Sequence, residues 1–196
     1  MSKQVEFFFD VGSPTTYLAW TQLPALCTRA GAALAYRPML LGGVFQATGN
    51  ASPAAVPAKG RYMNDDMARF ARRYGVPLAM NPHFPINTLT LMRGAAGAQL
   101  RAPERFEAYL RGVFKAMWIE GLNLNDPAVA AKALVAAGFD PTEVMAWAND
   151  AEVKAALRAT TEEAVARGVF GAPTMFVGSE MYFGQDRLDF VREALA

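Results

Sequence analysis

Apolar residues run almost unbroken through Val5-Glu6-Phe7-Phe8-Phe9, and a short β-prone run of this kind predicts a strand buried on both faces. The pattern stops at Asp10-Val11-Gly12. Ser13-Pro14 then reads as a helix start, serine at the N-cap and proline at the first helical position. Tyr17, Leu18, Trp20, Leu23 and Leu26 follow at helical spacing, with Pro24 predicted to kink the helix and Gly31 to end it. Ala33-Leu34-Ala35-Tyr36-Arg37-Pro38 resumes as a strand, which gives a β-α-β unit.

From Gly42 the pattern turns to loops and helices. Gly49-Asn50 and residues 53–57 are turn-rich, and residues 59–74 predict an amphipathic helix with Tyr62, Met63, Met67, Phe70 and Tyr74 on its apolar face. After the loop Asn81-Pro82-His83-Phe84-Pro85, helical patterns recur at 88–100, 103–118, 127–137 and 141–149 with no strand between them. A helix over 152–167 closes at Gly168. Strands at 174–177 and 181–183, joined by Gly178-Ser179-Glu180, form a hairpin, and a terminal helix covers 186–195. The predicted class is α/β: a thioredoxin-like core from residues 1–42 and 152–196, with an all-helical domain inserted over 43–151.

Composition narrows the function. The 196 residues suffice for a core without staples, and 19 basic against 18 acidic side chains leave a net charge of +1. No global field attracts nucleic acid or an acidic membrane, so the expected partner is a small molecule. Met1-Ser2-Lys3-Gln4 leads straight into the first strand with no secretory pattern, and no apolar run reaches the roughly 18 residues that span a bilayer. The expectation is a soluble, cytoplasmic protein. Cys27 is the only cysteine, which excludes an intramolecular disulfide and a dithiol redox cycle within one chain.

Ser13 is the most informative polar residue. It lies where the first strand gives way to the first helix, a place where orphan N–H groups and the helix dipole favour an anion. Two readings are open: a plain N-cap or part of an anion site. Ala172-Pro173 stands directly before the hairpin, where a cis peptide would expose the polar groups of Ala172 and a trans proline would merely start the strand. His83, the only histidine, makes a poor metal ligand, and with no second histidine or cysteine cluster no metal site is expected. Cys27 reads as a buried small hydrophobe, and Phe114, Met117 and Trp118 as core that borders an apolar pocket at most.

Five ordered blocks carry a resemblance over essentially the whole chain: Phe8-Phe9-Asp10-Val11-Gly12-Ser13-Pro14 with Tyr17-Leu18, Lys59-Gly60-Arg61-Tyr62-Met63, Phe84-Pro85-Ile86-Asn87-Thr88, Gly168-Val169-Phe170-Gly171-Ala172-Pro173-Thr174, and Phe183-Gly184-Gln185-Asp186-Arg187-Leu188. The chain resembles the 2-hydroxychromene-2-carboxylate isomerases and kappa-class glutathione transferases, relatives of the DsbA-type oxidoreductases. In the redox relatives Ser13 and Thr16 would be the two cysteines of a Cys-x-x-Cys motif, so the resemblance implies that the sulfur comes from glutathione. A serine hydroxyl donating to a thiolate favours its charged form. Lowering a thiol pKa from about 8.5 by about two units asks roughly 2.7 kcal/mol of the site.

The resemblance also implies that Ala172, before Pro173, pairs with the cysteinyl part of glutathione, and that Gln185 and Asp186 hold its γ-glutamyl end, with Asp186 on the α-amino group. Asp186 reads equally as a helix N-cap. Asn50 and Lys59 would line the cleft from the insertion, Lys59 taking a carboxylate or else remaining a solvated lysine. Phe84 and Asn87 fall in the loop that helps form the second-substrate pocket, although Asn87 also reads as the cap of the next helix. This loop lacks the arginines associated with the naphthalene-pathway isomerases. The implied reaction is a cis–trans isomerisation of an aromatic acid by reversible thiolate addition, with Ser13 as thiolate stabiliser, in a family that often forms homodimers. The alternatives are a kappa-like transferase or peroxidase and a non-catalytic module binding glutathione or a peptide.

Overall fold

The computed structural model describes residues 3–196; Met1 and Ser2, with which the sequence reading of the N-terminus began, lie outside the described residues. Strand β1 (Gln4–Phe9) leads into helix α1 (Pro14–Ala30) and strand β2 (Ala33–Pro38). Helices α2 (Leu41–Thr48), α3 (Pro57–Tyr74), α4 (Leu89–Arg101), α5 (Phe106–Trp118), α6 (Pro127–Ala136), α7 (Pro141–Asn149) and α8 (Ala151–Ala166) follow. The chain ends in strands β3 (Thr174–Val177) and β4 (Glu180–Phe183), a 3₁₀ turn (Gln185–Arg187) and helix α9 (Leu188–Ala194).

The sheet has the order β2-β1-β3-β4. β1 runs parallel to β2, with Phe7 opposite Tyr36, and antiparallel to β3, with Phe8 opposite Thr174. Alternation along β1 splits the core in two. Val5, Phe7 and Phe9 pack with Leu18, Leu23, Phe106 and Phe114 on one face, while Phe8 joins Met39, Val44, Ala164, Val169 and Phe176 on the other. On the second face the Phe8 and Phe176 rings meet edge to face at 5.6 Å, and the Arg167 guanidinium sits 3.8 Å from the Phe176 centroid while binding both oxygens of Glu6.

Local chemistry accounts for most helix starts. Asp126, Asp140 and Asp150 each accept a first-turn N–H at 2.8 Å. α1 ends at Gly31, whose φ of 61° is the left-handed conformation that a side chain disfavours. Several elements depart from the sequence expectation or add to it. α1 carries Pro24 in its interior. Residues 41–48 form a helix in a stretch to which the sequence assigned no particular element. Glu180 belongs to β4, leaving Gly178-Ser179 as a two-residue turn. Tyr62 is 62 % exposed and lies off the apolar face of α3, against the Arg69 guanidinium.

Candidate active site

Ser13 lies at the junction of β1 and α1, and the turn that presents it is fastened from several sides. The Asp10 carboxylate, 1 % exposed, accepts from Gly12 N–H at 2.8 Å, Leu41 N–H at 2.8 Å and the Thr88 hydroxyl at 3.0 Å. Burial raises its pKa from 3.8, and these three donors oppose the rise by favouring the charged form. Val11 donates its N–H to Met92 Sδ at 3.3 Å, and its carbonyl accepts from Trp118 Nε1 at 2.8 Å. A Cβ on Gly12 would meet Thr88 Cγ2 at 2.7 Å, so the turn has room only for glycine.

Ser13 is 6 % exposed and caps α1: its Oγ accepts from Thr16 N–H at 3.2 Å. The same oxygen lies 3.1 Å from the Ala172 carbonyl and 2.8 Å from Thr15 Oγ1, which is itself 3.2 Å from that carbonyl. The Ala172-Pro173 peptide is cis, one of the two readings the sequence left open, and Phe84-Pro85 is cis as well. Thr16 is fully buried, and its Oγ1 has no hydrogen-bond partner among the described residues.

The residues singled out in the sequence fall into two groups. Asn50 reaches the cleft, donating Nδ2 to the Phe170 carbonyl at 2.8 Å, two residues before Ala172. Gln185 and Asp186 are brought alongside by Gly184 N–H, which bonds the Pro173 carbonyl at 3.0 Å, and by the Tyr74 hydroxyl, which donates to the Gln185 carbonyl at 2.8 Å. Asp186 sits in the 3₁₀ turn ahead of α9 and pairs with Arg187, so neither a start of α9 at residue 186 nor an N-cap role describes it. Phe84 packs on Trp118 with ring centroids 6.1 Å apart, which links its loop to the Ser13 turn.

Lys59 and Asn87 are placed differently. Lys59 is exposed in the first turn of α3 and makes no ion pair among the described residues. Asn87 Oδ1 accepts from Leu89 N–H at 3.1 Å, the capping arrangement foreseen as its other reading, and its own N–H donates to Asn125 Oδ1. Phe114, Met117 and Trp118 are buried core, and Cys27 is buried with its thiol pKa pushed up to about 11 by burial. Two residues that hold the Ser13 turn or its hydroxyl escaped the sequence reading. Thr15 offered only a hydroxyl near Ser13, whereas the Asp-x-Gly pattern at Asp10 was a legible signal for a side chain folding back on its own turn.

Chemically, Ser13 is a hydrogen-bond donor. Its partners are a hydroxyl, a carbonyl and an N–H, with no imidazole or carboxylate to take its proton, so the geometry does not activate its oxygen as a nucleophile. The family described as "DSBA-like thioredoxin domain" matches residues 4–196. The chain belongs to the DsbA-like thioredoxin family. Within this family it is 32 % identical to a 2-hydroxychromene-2-carboxylate isomerase of Sphingobium xenophagum, covering 100 % of this chain and 99 % of that one. It is 30 % identical to glutathione S-transferase kappa 2 of Caenorhabditis elegans, over 99 % and 92 % of the two chains. A solved 2-hydroxychromene-2-carboxylate isomerase superposes with a TM-score of 0.85 at 30 % identity, covering 98 % of this chain and 94 % of the other. Cys27 is the chain's only cysteine, and positions 13 and 16 at the start of α1 are serine and threonine.

Proposed function

We propose that the chain is a glutathione-dependent isomerase interconverting 2-hydroxychromene-2-carboxylate and trans-o-hydroxybenzylidenepyruvate, or a related aromatic acid. The observation that carries this reading is Ser13: a hydroxyl at a helix N-terminus, 3.1 Å from Ala172 O and without a base. The site fits a thiolate because the donors there outnumber the acceptors. Two hydroxyls face one carbonyl, and although Ser13 takes up the N–H groups of Thr16 and Tyr17, those of Thr15 and Ala172 make no hydrogen bond among the described residues. The chemistry that glutathione supplies when bound is reversible thiolate addition to a conjugated double bond, which lets that bond rotate.

The residues divide the remaining work. Ser13 and the α1 N-terminus hold the charged sulfur, and the Ala172 N–H aligns the cysteinyl unit. Gln185 and Asp186 receive the γ-glutamyl end, with Asp186 facing the α-amino group. Asn50 keeps the 170–173 segment in place from across the cleft. Lys59 offers a cation to a carboxylate, and Phe84 and the free Nδ2 of Asn87 border the second substrate. A kappa-like transferase is the second reading, supported by the likeness to the Caenorhabditis elegans protein and by the lack of arginine in residues 84–87.

Calorimetric titration with glutathione tests the cofactor half of this reading. The wild type binds, and Asp186→Ala binds about tenfold more weakly, the loss expected when one charge-assisted contact is removed. A wild-type protein that releases no heat with glutathione and shows no competition with a glutathione conjugate contradicts it.

A further inference from the structure

We propose that Thr15 is a positioning residue that frees the Ser13 proton for a bound thiolate, an inference that rests on the reading of the site just given. Three oxygens form a triangle: Ser13 Oγ and Thr15 Oγ1 at 2.8 Å, Ser13 Oγ and Ala172 O at 3.1 Å, and Thr15 Oγ1 and Ala172 O at 3.2 Å. Each hydroxyl brings one proton, so two protons serve three contacts and one contact is always without a proton. Ser13 Oγ also accepts from Thr16 N–H, which fixes one lone pair and leaves its proton as the movable part.

This count decides what happens when Ser13 turns its O–H toward an anion. With serine alone, the Ala172 carbonyl, on a residue only 9 % exposed, would lose its partner, and leaving a buried acceptor unmet is costly. With Thr15 present, the threonine proton takes over that carbonyl and the serine proton is released at no net loss of hydrogen bonds. Thr15 is half-buried and Ser13 is buried, so the exchange takes place at the edge of the cleft rather than beneath it.

Thr15→Val keeps the shape and removes the proton; Thr15→Ser keeps the proton. The readout is the pKa of the glutathione thiol bound to the intact protein, followed by thiolate ultraviolet absorbance against pH. Thr15→Val is expected to raise that pKa by about one unit, which leaves about tenfold less thiolate at any given pH well below it, while Thr15→Ser restores the wild-type value. In a Ser13→Ala background Thr15→Val adds nothing further, because the effect passes through Ser13. A wild type that lowers the thiol pKa, paired with a Thr15→Val variant that lowers it equally, overturns the role of Thr15 alone. A wild type that binds no glutathione, or binds it without lowering its pKa, overturns the proposed function and this inference together.

Discussion

Thr88 donates its hydroxyl to the buried carboxylate of Asp10 at 3.0 Å, across 78 positions of sequence. The bond joins the end of β1, three residues ahead of Ser13, to the residue that opens α4, and the same carboxylate also holds Leu41 N–H at the start of α2. One buried carboxyl group therefore sets the Ser13 turn, the loop that carries Phe84 and α2 in a single frame. Thr88→Val removes one donor from a buried carboxyl acceptor and is expected to cost about 1–3 kcal/mol of stability. Because the loosened side carries Phe84 and Asn87, KM for the aromatic substrate should rise more than KM for glutathione. Denaturant midpoints and steady-state kinetics on both substrates check the two parts.

The ionisation of Asp10 gives stability a pH slope of uncommon sign. Its folded pKa is raised above the ordinary 3.8 by burial, so the folded state holds this proton more tightly than the unfolded chain does. Asp10 consequently favours the folded state below the unfolded value, and that contribution is lost as pH rises from there through the folded pKa. Asp10→Asn removes the slope. The difference in urea midpoint between wild type and variant, measured from about pH 3 to pH 7, should change in that direction and level off above the folded pKa.

Gly12 faces the same junction. An alanine there would put its Cβ 2.7 Å from Thr88 Cγ2 and 3.3 Å from Asp10 Oδ1, and overpacking at such a site costs about 1–3 kcal/mol. Gly12→Ala should lower the melting temperature and turnover together, since relief of the clash moves the turn that carries Ser13. Thermal melts with parallel activity measurements show whether the two losses coincide.

Cys27 is predicted to be inert. Burial pushes its thiol up to about 11, so almost no thiolate is present at neutral pH. A thiol reagent should modify the native protein slowly and the urea-unfolded protein fast, and Cys27→Ser should retain the glutathione dependence of turnover.

Much of this arrangement was legible in the chain because its causes are local. The apolar run of β1, the Ser13-Pro14 helix start, the Gly31 stop and the hairpin turn at Gly178 each act over a few residues, and the structure reproduces them. Helix α2 was not legible. Its sequence carries two adjacent glycines and no side-chain cap, and it is held by Val44 in the Phe8 and Phe176 cluster and by the Asp10 carboxylate on Leu41 N–H, partners supplied by other segments. Tyr62 fits the helical period of α3 but lies where no neighbouring element covers it. At the site, Ser13 and Ala172 could be named from their places in the pattern. Thr15 and Asp10 take their roles from Ala172, 157 residues on, and Thr88, 78 residues on, which no local pattern encodes.

The most direct test of Ser13 as a thiolate stabiliser is the absorbance change of 2-hydroxychromene-2-carboxylate on conversion to its open isomer, with and without glutathione, for wild type and Ser13→Ala. The account predicts turnover that requires glutathione and falls about a hundredfold or more in the variant, the scale expected when one donor to a developing charge is lost. Turnover that proceeds without glutathione, or that is unchanged in Ser13→Ala, would contradict it.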